Sequence, residues 1–190
     1  MNEVAYILSR GGQLLGEAGP ILGGYAGGPE GVAVVSVAYL LWSILVLRAS
    51  CHLNVPVDLR GCSSSRPLLW SQSLATQAIS RNSHLPLFYY TYCAGGPMTE
   101  MNLHEIAAGM ITGVVSGGNI EFGGVGAAKY VDHLSPVEPM FATQVAHAAV
   151  GMSRLEANEI VKKLLATYED KLSDPPKGTR FQDSHDWDSI

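Results

Sequence analysis

Apolar side chains in this sequence follow helical and strand periods in turn. Val4, Ile7 and Leu8 fall at helical spacing, and Gly11 and Gly12 supply a helix C-cap. Gln13–Glu17 then predicts a short strand, followed by a glycine-rich loop and an apolar helix from Pro29 to Ser50. The alternation in VPVDLRG (Val55–Gly61) predicts a second strand, with a helix over Arg66–Asn82. LPLFYYTYC (Leu85–Cys93) reads as a third strand, and Thr99 as the cap of a helix whose apolar face is Leu103, Ile106, Ala107, Met110, Ile111 and Val114. NIEFGGVG (Asn119–Gly126) is the fourth strand, before a helix from Pro136 to Met152. Ser153 and Glu156 form a capping box for a last helix with Ile160, Val161, Leu164, Leu165 and Tyr168 on one side. Beyond it residues 173–190 read as a polar, poorly ordered tail.

Four strands, each followed by a helix, predict a parallel sheet in the α/β class. Strands that end in glycine-rich or acid-bearing loops suit a (β/α)8 TIM barrel, whose chemistry sits at the strand C-termini. A whole barrel needs about 250 residues. About four βα units plus a C-terminal helix, over residues 1–172, therefore amount to half of one.

Composition narrows the possible partners. With 190 residues, 47% hydrophobic, the chain can bury a core as one domain or as half of a large one. A net charge of −5 argues against nucleic acid and against an anionic membrane surface. Val32–Leu47 is apolar but shorter than the roughly 20 residues that cross a bilayer, so it reads as a core helix. Cys51, Cys62 and Cys93 are odd in number and lack CxxC spacing, as expected of buried thiols in a reducing cytosol. No metal site is expected. The absence of a signal peptide also suits a cytoplasmic protein.

The candidate chemistry is sparse. Glu17 is the one carboxylate in GEAGPILGGYAGG (Gly16–Gly28), where a barrel strand would end; a purely structural or solvated role is equally open. In FYYTY, Tyr90 and Tyr92 share one strand face and Tyr89 takes the other. Core packing is the commoner role for such aromatics. His104-Glu105 begins like the zinc motif HExxH, but residue 108 is alanine. Cys93 and His104 as a nucleophile pair lack a third group to orient them. GGVGAA (Gly123–Ala128) only partly matches a dinucleotide fingerprint and lacks the acid about 20 residues on.

Three blocks, EAGPILGGYAGGPEG (Glu17–Gly31), CAGGPMTEM (Cys93–Met101) and EANEIVKKLLATYEDKL…PPKGTRFQD (Glu156–Asp183), resemble the monomethylamine:corrinoid methyltransferase family in order and spacing. The resemblance implies the C-terminal half of a TIM barrel and a homo-oligomer. It implies transfer of a methyl group from monomethylamine to the Co(I) corrinoid of a cognate corrinoid protein during methanogenesis. No cofactor bound directly to this chain is implied, since the corrinoid rides on the partner protein. The family's pyrrolysine, encoded by an in-frame amber codon, lies upstream of every residue here, as does a second carboxylate of the site. Glu17 matches the family's catalytic glutamate. Tyr90 and Tyr92 match its substrate-binding positions, Tyr92 as the family's tyrosine and Tyr90 where the family has a glutamine. Two other readings stand beside this one: a non-catalytic half-barrel acting through self-association, and a related methyltransferase for another methylated amine.

Overall fold

The structure, a computed structural model, describes residues 2–121 and 130–184. Helix α1 (Asn2–Ser9) leads into strand β1 (Leu15–Ala18) and helix α2 (Pro29–Leu45). Strand β2 (Cys51–Asn54) precedes α3 (Arg66–Asn82), and β3 (Leu87–Tyr89) precedes α4 (Glu100–Val115). Strand β4 (Asn119–Ile120), α5 (Val137–Ala148) and α6 (Arg154–Tyr168) complete the regular elements. The four strands pair in parallel in the order β1-β2-β3-β4. This is the α/β half-barrel pattern that the alternation predicts.

Local chemistry explains most of the boundaries. Pro29 opens α2, where a missing N–H costs nothing. The Thr99 side chain accepts from the Asn102 N–H to start α4, and Ser153 accepts from the Glu156 N–H to start α6. Helix α2 stops at Leu45, short of the expected Ser50, because Arg48 takes a positive φ of 59° that turns the chain into β2.

The second strand is a correction to the sequence reading. It runs over Cys51–Asn54, not Val55–Gly61, of which only Val57 makes an isolated bridge, to Ile21. Pro56 has no N–H to give a ladder, while CHLN pairs on both sides although His52 and Asn54 are polar. Likewise β3 covers only Leu87–Tyr89 of the expected Leu85–Cys93, since its neighbour β2 ends at Asn54. The expected fourth strand begins at Asn119, and most of it, with the GGVGAA stretch, lies outside the described residues.

Register divides the sheet into two faces. Gly16, His52 and Leu87 align on the helix-covered face, where Leu87 packs with Leu40 of α2 and Ile79 of α3. Glu17, Leu53 and Phe88 align on the opposite, inner face. Helix α4 presses onto β3 through two glycines. A Cβ at position 109 would lie 2.1 Å from the Thr91 hydroxyl oxygen, and one at 113 would lie 2.6 Å from the Tyr89 ring. Tyr89 is thus sealed under α4, and the alternation sends Tyr90 and Tyr92 inward.

Helix α6 forms an outer layer on α4, burying Leu165 and Tyr168 with Leu69, Met101 and Ala108. The described part of the tail, residues 173–184, is tied to the body by backbone hydrogen bonds. Gly96 N–H donates to Pro176 O at 2.8 Å and Phe181 N–H to Asp132 O at 2.7 Å. That docking needs glycine at 96, where a Cβ would sit 1.6 Å from Lys177 O. Helix α2 is not buried all round as expected of a core helix: Val34, Leu41, Trp42 and Leu45 are exposed. Among the described residues no helix is long and apolar enough to cross a membrane.

Candidate functional site

Glu17 is the third of the four residues of β1, with its side chain on the open inner face. Tyr92 lies past the end of β3 and leans across β2. Its hydroxyl donates to Glu17 Oε1 at 3.3 Å. The Tyr90 and Tyr92 rings meet at 4.8 Å between centroids, tilted by 55°. Tyr90 is buried with Leu53 and Val55, while Phe88 and Tyr92 pack on the same patch. The site is thus a carboxylate and a phenol on an aromatic wall.

Its electrostatics favour a neutral phenol. The Tyr92 hydroxyl is held above the ordinary tyrosine range, chiefly by burial, then by the charge of Glu17 and the hydrogen bond to it, and last by Glu121. Glu121 is the residue that the sequence reading missed. Its N–H donates to Tyr89 O at 3.1 Å, carrying the β4 register one residue on, opposite Tyr90. The same charge also helps raise the Cys51 thiol, behind burial. Two carboxylates therefore face the inner surface near Tyr92. The strand parity of Asn119-Ile120-Glu121 was the available signal.

The other candidates stay apart. His104 sits on the outer side of α4, paired with the Thr167 hydroxyl at 2.7 Å. Cys93 is buried with Ile106, Met110 and Ala142, and burial, then the charge of Glu105, pushes its thiol well above the ordinary range. The two are not a nucleophile pair. All three cysteines are free thiols. Among the described residues no group of three or more His, Cys, Asp or Glu is placed to hold a metal ion.

Glu105 belongs to no zinc motif, yet it is a fully buried acid with three hydrogen-bond donors. It accepts from Ser64 Oγ at 2.5 Å, from Ala94 N–H at 2.7 Å and from Gly95 N–H at 2.8 Å. Burial raises its carboxyl to about 7, against the lowering effect of those three donors. A groove of about 820 Å³ on the outer helical layer, between α3, α4 and α6, is lined by Trp70, Arg154 and Leu165 but by none of the inner-face residues.

Comparison with known proteins follows the same outline. The family described as monomethylamine methyltransferase MtmB matches residues 1–190. The chain is 36% identical over 189 residues to monomethylamine methyltransferase MtmB2 of Methanosarcina barkeri, covering 98% of this chain and 41% of that protein. It is also 36% identical over 176 residues to MtmB1 of Methanosarcina acetivorans, covering 91% of this chain and 38% of that protein. The crystal structure of the Methanosarcina barkeri monomethylamine methyltransferase (MtmB) superposes with a TM-score of 0.94 at 33% identity, over 99% of this chain and 42% of that chain. A crystal structure of the hydroxylamine MtmB complex superposes equally well, with a TM-score of 0.94. The chain thus spans about two fifths of the length of the curated relatives it matches, 41% of the first.

Proposed function

This chain belongs to the monomethylamine methyltransferase MtmB family, and on that premise we propose that it is the C-terminal part of an enzyme that moves the methyl group of monomethylamine to the Co(I) corrinoid of a partner protein in the cytoplasm. The observation that carries the reading is the Tyr92 hydroxyl bonded to Glu17 at the C-terminal ends of parallel strands. An amine is a poor leaving group, so its nitrogen must stay positive while the methyl carbon is attacked. The Glu17 carboxylate, on the open face, supplies negative charge and a proton-accepting oxygen for that nitrogen. Tyr92 orients one oxygen of the carboxylate through its O–H. The Tyr90 and Tyr92 rings give the small cation an aromatic surface, which favours positive charge.

The corrinoid supplies the nucleophile when the partner docks. The open inner face leaves Glu17 reachable, and the electrophile that the family places upstream would complete the site from outside residues 1–190. Tyr90, at the family's glutamine position, is assigned to substrate contact through its ring. The test is Glu17→Gln in the whole enzyme, assayed for methylation of Co(I) corrinoid protein by monomethylamine. A loss of about 10²–10³ in rate is expected for removing one preorganised charge. An unchanged rate would refute the role given to Glu17.

A second reading, self-association of a half-barrel, rests on the exposed apolar stripe of α2, where Val34 is 69% and Leu45 74% exposed. It is compatible with the first, since the family resemblance also implies a homo-oligomer.

A further inference from the structure

Tyr92 stands beyond Tyr89, the last paired residue of β3, so no sheet ladder fixes its position. A buried carboxylate on α4 bonds the segments on either side of it. Glu105 Oε1 takes the Ser64 hydroxyl and the Ala94 N–H, and Oε2 takes the Gly95 N–H. Ala94 and Gly95 stand two and three positions past Tyr92, with Cys93 between. Ser64 belongs to the segment after β2, whose Ser63 N–H donates to Tyr92 O at 2.8 Å. The far ends are pinned as well. Tyr168 OH donates to Ser64 O at 2.8 Å, and Asn102 Nδ2 to Gly95 O at 2.7 Å.

We propose that Glu105 is a positioning residue for the Glu17–Tyr92 pair. Its carboxylate ties the segment after β2 to the segment after β3, and so sets the Tyr92 hydroxyl within reach of Glu17. The 3.3 Å contact is long for an O–H donor, so a small shift of the Tyr92 backbone would break it. An apolar side chain could fill the same volume, but it could not receive three donors converging from two loops. Asp58, Cys62, Cys93 and Tyr168 also face this carboxylate. Asp58 is paired with Arg60, and burial pushes the Cys62 thiol up to about 12, so both thiols stay neutral. The three donors to Glu105 are neutral too. Only their geometry, held by folded loops, makes the clamp.

The inference rests on the reading of Glu17 and Tyr92 as a working pair, and not on which amine is demethylated. The test is a double-mutant cycle on residues 1–190 labelled with 3-fluorotyrosine, with the Tyr92 ¹⁹F signal assigned by Tyr92→Phe. Glu17→Gln should lower the titration midpoint of Tyr92 in the otherwise unchanged protein, because the Glu17 charge is one cause of its rise. In Glu105→Gln, whose amide turns a donor onto at least one converging N–H or O–H, the effect of Glu17→Gln should shrink or vanish while the helical circular dichroism persists. Ser64→Ala, which keeps the carboxylate and both backbone donors, should give a partial loss, and it decides the matter if Glu105→Gln does not fold. The same Glu17→Gln shift in every folded background would overturn the proposal and leave Glu105 a stabilising residue only. No shift in the unchanged protein would instead refute the pair itself.

Discussion

The Tyr92 hydroxyl is hydrogen-bonded to Glu17 at 3.3 Å although the residues are 75 positions apart and a whole strand, β2, runs between their own. A long aromatic side chain makes this possible. Tyr92 leaves β3 where its neighbour has already ended, and its ring crosses the patch of Leu53 and Val55 to reach the first strand.

In the whole enzyme, Tyr92→Phe should keep the aromatic wall and lose the bond to Glu17. A hydrogen bond to a charged group contributes about 1.5–3 kcal/mol, which corresponds to roughly 10- to 100-fold. Methyl-transfer rate should fall by about that factor, with a smaller loss than for Glu17→Gln. Equal rates for the wild type and Tyr92→Phe would show that the phenol has no part in the reaction.

Residues 1–190 alone should not methylate Co(I) corrinoid protein from monomethylamine, because the electrophile that the family resemblance implies is not among them. Turnover above background would remove the need for it.

The Glu105 carboxyl gives a pH dependence whose sign is fixed by its burial. Its folded value of about 7 lies above that of an unfolded glutamate, about 4.3, so the folded chain binds this proton more tightly. The linked stability is full below about pH 4.3 and is lost as pH rises through about 7. Relative to Glu105→Gln, the wild type should lose stability between pH 5 and 8, by an amount on the order of 3 kcal/mol. Urea unfolding of both proteins at the two pH values measures this. A difference that stays constant, or grows with pH, would show that the donors outweigh burial.

The isolated chain should associate. Strands β1 and β4 are open edges of the described sheet, and Val34, Leu41, Trp42 and Leu45 leave an apolar stripe along α2. Sedimentation velocity should find dimers or larger species, and Val34→Glu with Leu45→Glu should shift them towards monomer without loss of helix. A compact wild-type monomer, with slow amide exchange in both Leu15–Ala18 and Asn119–Ile120, would mean that the sheet protects its own edges.

Much of the architecture was legible from local chemistry alone. The boundaries of α3, the caps Thr99 and Ser153 and the start of α2 at Pro29 are properties of a few adjacent residues. The alternation of strand and helix then forces parallel pairing, because each strand must cross back over a helix. The inward set of Tyr90 and Tyr92 against Tyr89 also follows from period two alone.

What the tertiary structure decided are the matters that depend on distant neighbours. Strand β2 forms at Cys51–Asn54 because parallel partners stand on both sides, and burial then makes a core of His52 and Asn54, which a pattern of apolar residues cannot reveal. Glu105 reads as a broken zinc motif in sequence. Only the fold brings Ser64, Ala94 and Gly95 to its two oxygens. In sequence Glu17 reads equally as a structural or solvated acid, and its contact with Tyr92, 75 residues away, exists only in the fold. Local propensity sets the elements because it acts between neighbours in the chain; a site is made of contacts between chain-distant groups, and those exist only once the sheet has fixed which strand lies beside which.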